Sequence, residues 1–311
     1  MKNLKFTIIT FYQFKKNNEF DKFRIILDQF CSFHKIKGTI LLANEGINGT
    51  VAGLNEPINL LEKELSKMGF SNLEKKKSLH KFMPFNRLKI KNKKEIIKFD
   101  NSGLNVENFS GKHINSLDWN HLINDDEVML IDVRNEFEFK VGTFKGAVNP
   151  KTENFSEFKK YIYEKLDKKK DKKIAIFCTG GIRCEKASAY MISEGFQNVL
   201  QLKGGILQYL NDTPSENSKW EGECFVFDNR VSIQNAMIPG TYELCHACRN
   251  PLSIPDRQSK DYEKGISCPY CINKISNSKK SKLKERNKQI KIAKKKGLYN
   301  PYIKYTPSDY S

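Results

Sequence analysis

The 311-residue chain contains no run of about 20 apolar residues, the length needed to cross a bilayer, so nothing in it reads as a membrane-spanning helix. Its first residues, Met1-Lys2-Asn3-Leu4-Lys5-Phe6-Thr7-Ile8-Ile9-Thr10-Phe11, lack both an extended apolar core and a small-residue cleavage site. They read as a strand and not as a signal peptide, and the expected compartment is the cytoplasm. There is no internal repeat, no Gly-x-Gly-x-x-Gly opening a dinucleotide-binding unit, and no evident set of two histidines and one carboxylate for iron. Acidic residues are scarce beside basic ones: 36 Asp and Glu against 54 Lys and Arg leave a net charge of +18. Eight cysteines in a chain without an export signal point to metal binding or catalysis more than to disulfides.

The excess charge is unevenly placed. Residues 272–311 carry twelve Lys or Arg against Glu285 and Asp309, a net +10. Such a tail suits a polyanion, since each neutralised phosphate releases a counterion, and it has too few large apolar residues for a membrane anchor. The competing reading is a solvated tail in a chain that is lysine-rich throughout, and charge alone does not separate the two. Within the tail, 281–296 is expected to be a helix bearing Leu283, Ile290 and Ile292.

Residues 1–100 read as an α/β unit. A strand is expected over 6–11 and a helix over 20–34, with Phe20, Phe23, Ile26, Leu27 and Phe30 at helical spacing. A second strand covers 38–43. Gly46-Ile47-Asn48-Gly49 reads as a turn before a strand at 50–52, and Pro57 opens a helix that Gly69 stops. One or two strands within 87–99 complete a βαββαβ order, which predicts a ferredoxin-like (acylphosphatase-like) sheet. Residues 100–115 are polar and glycine-bearing and read as a linker. Residues 116–215 alternate strand and helix, with apolar strands at 128–133, 173–177 and 198–202 and a helix-like stretch at 155–167, the pattern of a parallel sheet covered on both faces. Residues 220–274 hold shorter elements and five of the eight cysteines, and 275–311 form the basic tail.

Cys178 opens the segment Cys178-Thr179-Gly180-Gly181-Ile182-Arg183-Cys184, between the strand Lys173–Phe177 and the helix-like run Glu185–Met191. A cysteine at a strand end, then a glycine-rich turn and a helix start, lets backbone N–H groups converge on one sulfur, and the helix N-terminus adds partial positive charge. Both favour the thiolate, which makes Cys178 the candidate nucleophile and Arg183 its candidate cation. Asp132 and Arg134, at the end of a neighbouring strand, read as structural, with Glu138 a candidate acid for Arg134. Cys184 reads as a resolving thiol or as a small buried residue, the second being preferred.

The stretch Asp132-Val133-Arg134, the segment Gly142-Thr143-Phe144-Lys145-Gly146-Ala147-Val148-Asn149-Pro150, the Cys178 loop and Leu202-Lys203-Gly204-Gly205 resemble a rhodanese domain. The C-x4-R span is one residue shorter than the related phosphatase cradle and suits a single sulfur atom carried on the cysteine. By that resemblance Cys178 would carry a persulfide. Gly-Thr-Phe-Lys-Gly-Ala, the run Gly38–Gly53 and Pro84-Phe85-Asn86-Arg87-Leu88-Lys89 narrow the resemblance, over about residues 5–297, to the bacterial tRNA uridine hydroxylases of the TrhO type (the UPF0176-like family). The resemblance implies tRNA as partner and 5-hydroxyuridine at the wobble position as product, with dioxygen as co-substrate and an electron donor.

Cys245-x2-Cys248 and Cys268-x2-Cys271 are nineteen residues apart. Two such knuckles place four sulfurs around one zinc, a closed structural site. His246 lies between two of these ligands, but four cysteines already complete the shell. Cys31 and Cys224 belong to neither group and read as buried. Two other functions compete: a sulfurtransferase working through a Cys178 persulfide explains the loop but not the flanking domains, and a non-catalytic RNA-binding adaptor leaves the loop unexplained.

Overall fold

The computed structural model describes residues 5–100, 103–107, 109–166 and 172–297. The last part of the basic tail, with Lys304 and Asp309, lies outside the described residues, as does the end of the stretch read as helical at 155–167. No helix among the described residues is long and apolar enough to cross a membrane.

The first unit runs β1 (Phe6–Phe14), α1 (Phe20–Phe33), β2 (Lys37–Ala43), β3 (Gly46–Gly53), α2 (Asn55–Lys67), β4 (Glu74–His80) and β5 (Leu88–Asn92). The strands lie in the order β4-β1-β3-β2-β5, all neighbours antiparallel except β2 and β5. The first four are the ferredoxin-like βαββαβ sheet. Its fourth strand is not in 87–99: it is β4, whose sequence Glu-Lys-Lys-Lys-Ser-Leu-His has no apolar alternation because it is an edge strand with alternate residues exposed. The strand within 87–99 is an addition at the opposite edge. The turn expected at 46–49 is the start of β3, since Ala43 pairs with Gly46 across a two-residue connection. Ile9 and Phe11 of β1 face the helices and pack with Phe23, Leu27, Ile58, Leu61 and Leu65. Alternation then directs Ile8, Thr10 and Tyr12 to the other face.

The second unit is built on β6 (Lys112–Ile114), α3 (Ser116–Leu122), β7 (Val128–Asp132), α4 (Glu136–Phe139), β8 (Gly142–Phe144), α5 (Phe158–Lys165), β9 (Lys173–Phe177), α6 (Ile182–Ser193), β10 (Val199–Leu202) and α7 (Gly205–Asp212). Four strands pair in parallel in the order β6-β10-β9-β7. One face packs on α5 and α6 through Phe158, Ile162, Ala187 and Met191, the other on α3 and α7 through Trp119, Ile206 and Leu210. Covering both faces is what makes the strands uniformly apolar. β6 comes from the stretch read as a linker; three residues paired at a sheet edge leave little trace in a sequence.

Beyond this lie three short two-stranded pieces. β11 (Trp220–Gly222) pairs with β8, β12 (Cys224–Phe225) with β13 (Ser232–Ile233), and β14 (Glu243–Leu244) with β15 (Pro251–Leu252). They are followed by α8 (Ile254–Gln258) and α9 (Asn277–Lys295). Within the stretch read as a basic tail, α9 is anchored to the cysteine module. Leu283 packs against the cysteine cluster, Lys279 Nζ donates to the Ala247 carbonyl at 2.8 Å, and Asn287 Nδ2 donates to the Lys264 carbonyl at 2.6 Å.

Candidate active site and candidate metal centre

β9 is a central strand of the parallel sheet, and Cys178 follows its last residue, at the carboxyl edge where α/β sheets place their sites. The Gly181 N–H donates to Cys178 Sγ at 3.2 Å, and α6 begins at the next residue. Burial raises the Cys178 pKa. The Cys184 thiol as donor, the charge of Arg183 and the Cys184 and Gly181 backbone N–H groups outweigh it and bring the value down to about 6. Cys184, one turn into the helix, moves the opposite way: burial and then its bond to Cys178 hold its proton far above the ordinary range. Cys184 is buried, as the preferred reading expects, and its thiol adds to the influences that favour the neighbouring thiolate.

The loop is locked from behind. Ile206 N–H donates to the Cys178 carbonyl and Leu207 N–H to the Thr179 carbonyl, both at 3.0 Å. This docking requires glycine at 205: its φ is +66°, and a Cβ there would stand 2.5 Å from the Cys178 carbonyl oxygen. Arg183 grips Glu138 at two points, Nη1 to Oε2 at 2.6 Å and Nη2 to Oε1 at 2.8 Å, and also donates to Thr179 Oγ1 at 3.1 Å. Its charge acts on the Cys178 sulfur through space. Burial opposes ionisation of Glu138, but Arg183 holds it ionised. Glu138 is thus the partner of Arg183 and not of Arg134. Arg134 turns to Asp132, with Nε to Oδ1 at 2.9 Å and Nη2 to Oδ2 at 2.6 Å, and lies 5.0 Å over the Trp220 ring. Both members of that pair are buried, in keeping with a structural role.

The ferredoxin-like sheet caps the loop, a juxtaposition that no local sequence pattern announces. Lys76 Nζ of β4 donates to the Gly180 carbonyl at 2.8 Å. The Tyr12 hydroxyl of β1 donates to Glu185 Oε1 at 3.3 Å, and a Cβ on Gly181 would lie 2.7 Å from that hydroxyl. Glu185 also accepts from Gln201 at 3.1 Å and bonds His113 Nε2 at 2.8 Å. That bond raises the His113 pKa against the opposing effect of burial. Cys178 has no exposed surface beneath this cap.

At the other end of the chain the four cysteine sulfurs lie within 4.8 Å of one another. Three of the separations are 3.9 Å (Cys245–Cys271), 3.6 Å (Cys248–Cys268) and 3.6 Å (Cys268–Cys271). Four thiolates at about 2.3 Å from a tetrahedral zinc stand roughly 3.8 Å apart, so the residues present fit the metal. His246 is exposed and outside the set. Cys31 and Cys224 are buried.

A family model described as the UPF0176 acylphosphatase-like domain matches residues 6–96, and the rhodanese-like domain model matches residues 118–212. Over its length the chain is similar to a tRNA uridine(34) hydroxylase of Teredinibacter turnerae, 47% identical over 293 residues that cover 94% of this chain and 91% of that protein. Among solved structures it is similar to the rhodanese-like domain of an Anabaena protein (20% identity, 35% of this chain and 78% of the other, TM-score 0.30). It is also similar to a human single-domain sulfurtransferase (20% identity, 34% of this chain and 100% of the other, TM-score 0.30).

Proposed function

The chain belongs to the family of tRNA uridine(34) hydroxylases, and on that premise we propose that it converts the wobble uridine of tRNA to 5-hydroxyuridine, with Cys178 as the reactive group. The observation that carries the reading is the placement of the Cys178 sulfur at the start of α6, where the Gly181 N–H donates to it at 3.2 Å and the Arg183 charge lies near, an environment that lowers its pKa to about 6. A thiolate at neutral pH adds to the electron-poor uracil ring and raises the electron density at the carbon to be oxidised. Dioxygen is the co-substrate: one oxygen atom enters the ring, the other leaves as water, and an external donor supplies two electrons. The wobble base is already single-stranded, so presenting it costs little unpairing energy. Because Cys178 is covered, the base reaches it only when the Gly180–Gly181 turn and the face of β1 and β4 part. The four cysteines would hold zinc as a closed structural site, leaving no position for water. A tRNA substrate places the enzyme in the cytoplasm.

Sulfur transfer accounts less well for the same loop. Arg183 commits three of its five N–H donors to Glu138 and Thr179 and acts on the sulfur through its charge, and sulfur transfer gives no role to the two flanking units. One experiment separates the readings: delete the gene, measure tRNA nucleosides by mass spectrometry, and complement with wild type or Cys178→Ala. The proposal expects 5-hydroxyuridine to vanish on deletion, return with the wild type and stay absent with Cys178→Ala. Full hydroxylation by that variant would end the role given to Cys178. Loss of a thiolated nucleoside instead would assign sulfur transfer, and no change in any nucleoside would leave an adaptor.

A further inference from the structure

Strand register places one row of side chains across the face of the ferredoxin-like sheet that lies away from its helices and, at one end, covers the Cys178 loop. Lys76 of β4 pairs with Thr10 of β1, Thr10 with Thr50 of β3, Thr50 with Thr39 of β2, and Thr39 with Lys89 of β5. Directly opposed residues point to the same side of a sheet, so all five stand on the face away from the helices. The row is polar from end to end and half-buried at every position, and the Thr10 and Thr50 hydroxyls bond each other at 3.1 Å. Four strand spacings of about 4.8 Å make it roughly 19 Å long. A face so lined is neither a packed core nor a freely solvated surface.

The two ends differ. At one, Lys76 holds the Gly180 carbonyl of the Cys178 loop. At the other, Thr39 and Lys89 form part of a groove of about 860 Å³ shared by all three units, which also takes in Arg87, Arg249, Arg286 and the ring of Phe227. Burial lowers the Lys89 pKa, and the charges of Arg87, Lys91 and Arg249 lower it further, the mark of cations gathered on one spot. The groove's aspartate, Asp228, is already bonded at two points to Arg230. Phe227 is 66% exposed and meets Phe225 edge-on, with 5.1 Å between ring centroids, so ring surface remains open to a stacking base. Beside apolar residues such as Phe85, Phe137 and Phe225, the groove combines four cations with an exposed aromatic ring, the pairing that holds a single-stranded nucleic acid by its phosphates and bases.

We propose that a single-stranded RNA loop lies across this sheet face along the row Lys89–Thr39–Thr50–Thr10–Lys76, its backbone held at the groove by Arg87, Lys89, Arg249 and Arg286 and a base stacked on Phe227, so that the strand runs towards the Cys178 loop. The proposal rests on the tRNA reading and gives it a path. The threonine hydroxyls supply donors and acceptors to ribose and phosphate, and the cations at the far end fix the direction of approach.

The test measures binding of the full-length protein to a synthetic anticodon stem-loop RNA by fluorescence anisotropy over a series of salt concentrations. Arg87→Gln with Lys89→Gln is compared with Lys75→Gln and Lys77→Gln, which remove the same charge from β4 residues that pair with Glu62 on the helix side of the sheet. The groove pair should weaken binding at least tenfold and lower the slope of log K against log salt by about 1.4, two contacts at about 0.7 each for a single strand. Phe227→Ala should cost about tenfold with the slope unchanged, and the Lys75 and Lys77 pair should lose less than twofold. Equal losses from both pairs would overturn the track while leaving a tRNA enzyme. A wild type that shows no binding to the stem-loop would overturn the track together with the tRNA reading. A poly-glutamate peptide that binds the groove as tightly as the RNA would give the surface to an acidic protein instead.

Discussion

Cys178 and Cys184 are two buried thiols six residues apart, and one contact drives them in opposite directions. The helix start aims N–H groups at the first sulfur, and the second sulfur, one turn on, gives it a further proton donor. A difference titration of ultraviolet thiolate absorbance, wild type minus Cys178→Ser, should show a midpoint near pH 6. Cys184→Ala removes a donor and should move that midpoint upward; an unmoved midpoint would show that the contact does not tune the thiolate. Linkage gives a second readout. The folded pKa lies below the ordinary thiol value of about 8.5, so the group's contribution to stability is fully present above that pH and is lost as pH falls through about 6. Wild type should therefore lose stability relative to Cys178→Ser on acidification across that window, as read by chemical denaturation.

At the scale of elements, the Cys178 loop depends on the turn between β10 and α7 as much as on its own residues. Gly205→Ala puts a methyl against the Cys178 carbonyl at a left-handed backbone position, and should cost about 2 to 4 kcal/mol of stability. Gly195→Ala is the control: its φ is also positive, +93°, but nothing lies within 4 Å, so it should cost only about 1 kcal/mol. Equal denaturation midpoints for the two variants would mean that the close approach does not matter. α9 presents the other lesson of this scale. Its lysines mark it as a basic tail, yet Leu283 fills the cysteine module's small core and Lys279 and Asn287 fasten it there. Truncation near residue 275 therefore removes part of a fold as well as charge, and does not isolate an effect on RNA. Stripping metal from the full chain with a zinc chelator should release α9. The expected sign is faster tryptic cleavage within 277–295, and a cleavage rate independent of chelator would separate the helix from the metal.

Over the whole molecule, a buried lysine ties the first two units together. Lys186 of α6 is fully buried, with Nζ 2.9 Å from Glu45 and 2.7 Å from Glu95, and it also donates to the Ile97 carbonyl at 2.9 Å. Glu45 lies between β2 and β3 of the first sheet, so the contact fixes how that sheet sits over the Cys178 loop. Lys186→Met leaves two carboxylates without their cation and should cost about 3 kcal/mol. It should also split thermal unfolding into separate transitions, since the cap over Cys178 would be held by fewer contacts. A single transition with unchanged midpoint would show that the units are coupled elsewhere. The proposed RNA track belongs to the assembled protein: Arg87 and Lys89 come from the first unit, Phe227, Arg249 and Arg286 from the third, and the row ends at the Cys178 loop of the second.

The sequence by itself determined the local chemistry. Cys178 ahead of two glycines and a helix start, the two C-x2-C knuckles, and the apolar strands of a sheet covered on both faces are all set by residues near one another in the chain, where steric preference and spacing decide the outcome. What it left hidden were β4 and β6, two edge strands with almost no core face to betray them, and the exchange of partners that gave Glu138 to Arg183 and Asp132 to Arg134. The tertiary structure alone decided that Lys76, in a run that reads as solvated charge, and Tyr12, in a run that reads as an ordinary strand, close over the Cys178 loop, and that a lysine from the middle unit is buried between two carboxylates of the first. Those contacts join residues about 90 to 170 positions apart. Their energy comes from removing charges and hydroxyls from water only where a partner from another unit replaces the lost solvent, and no local pattern of residues encodes that condition.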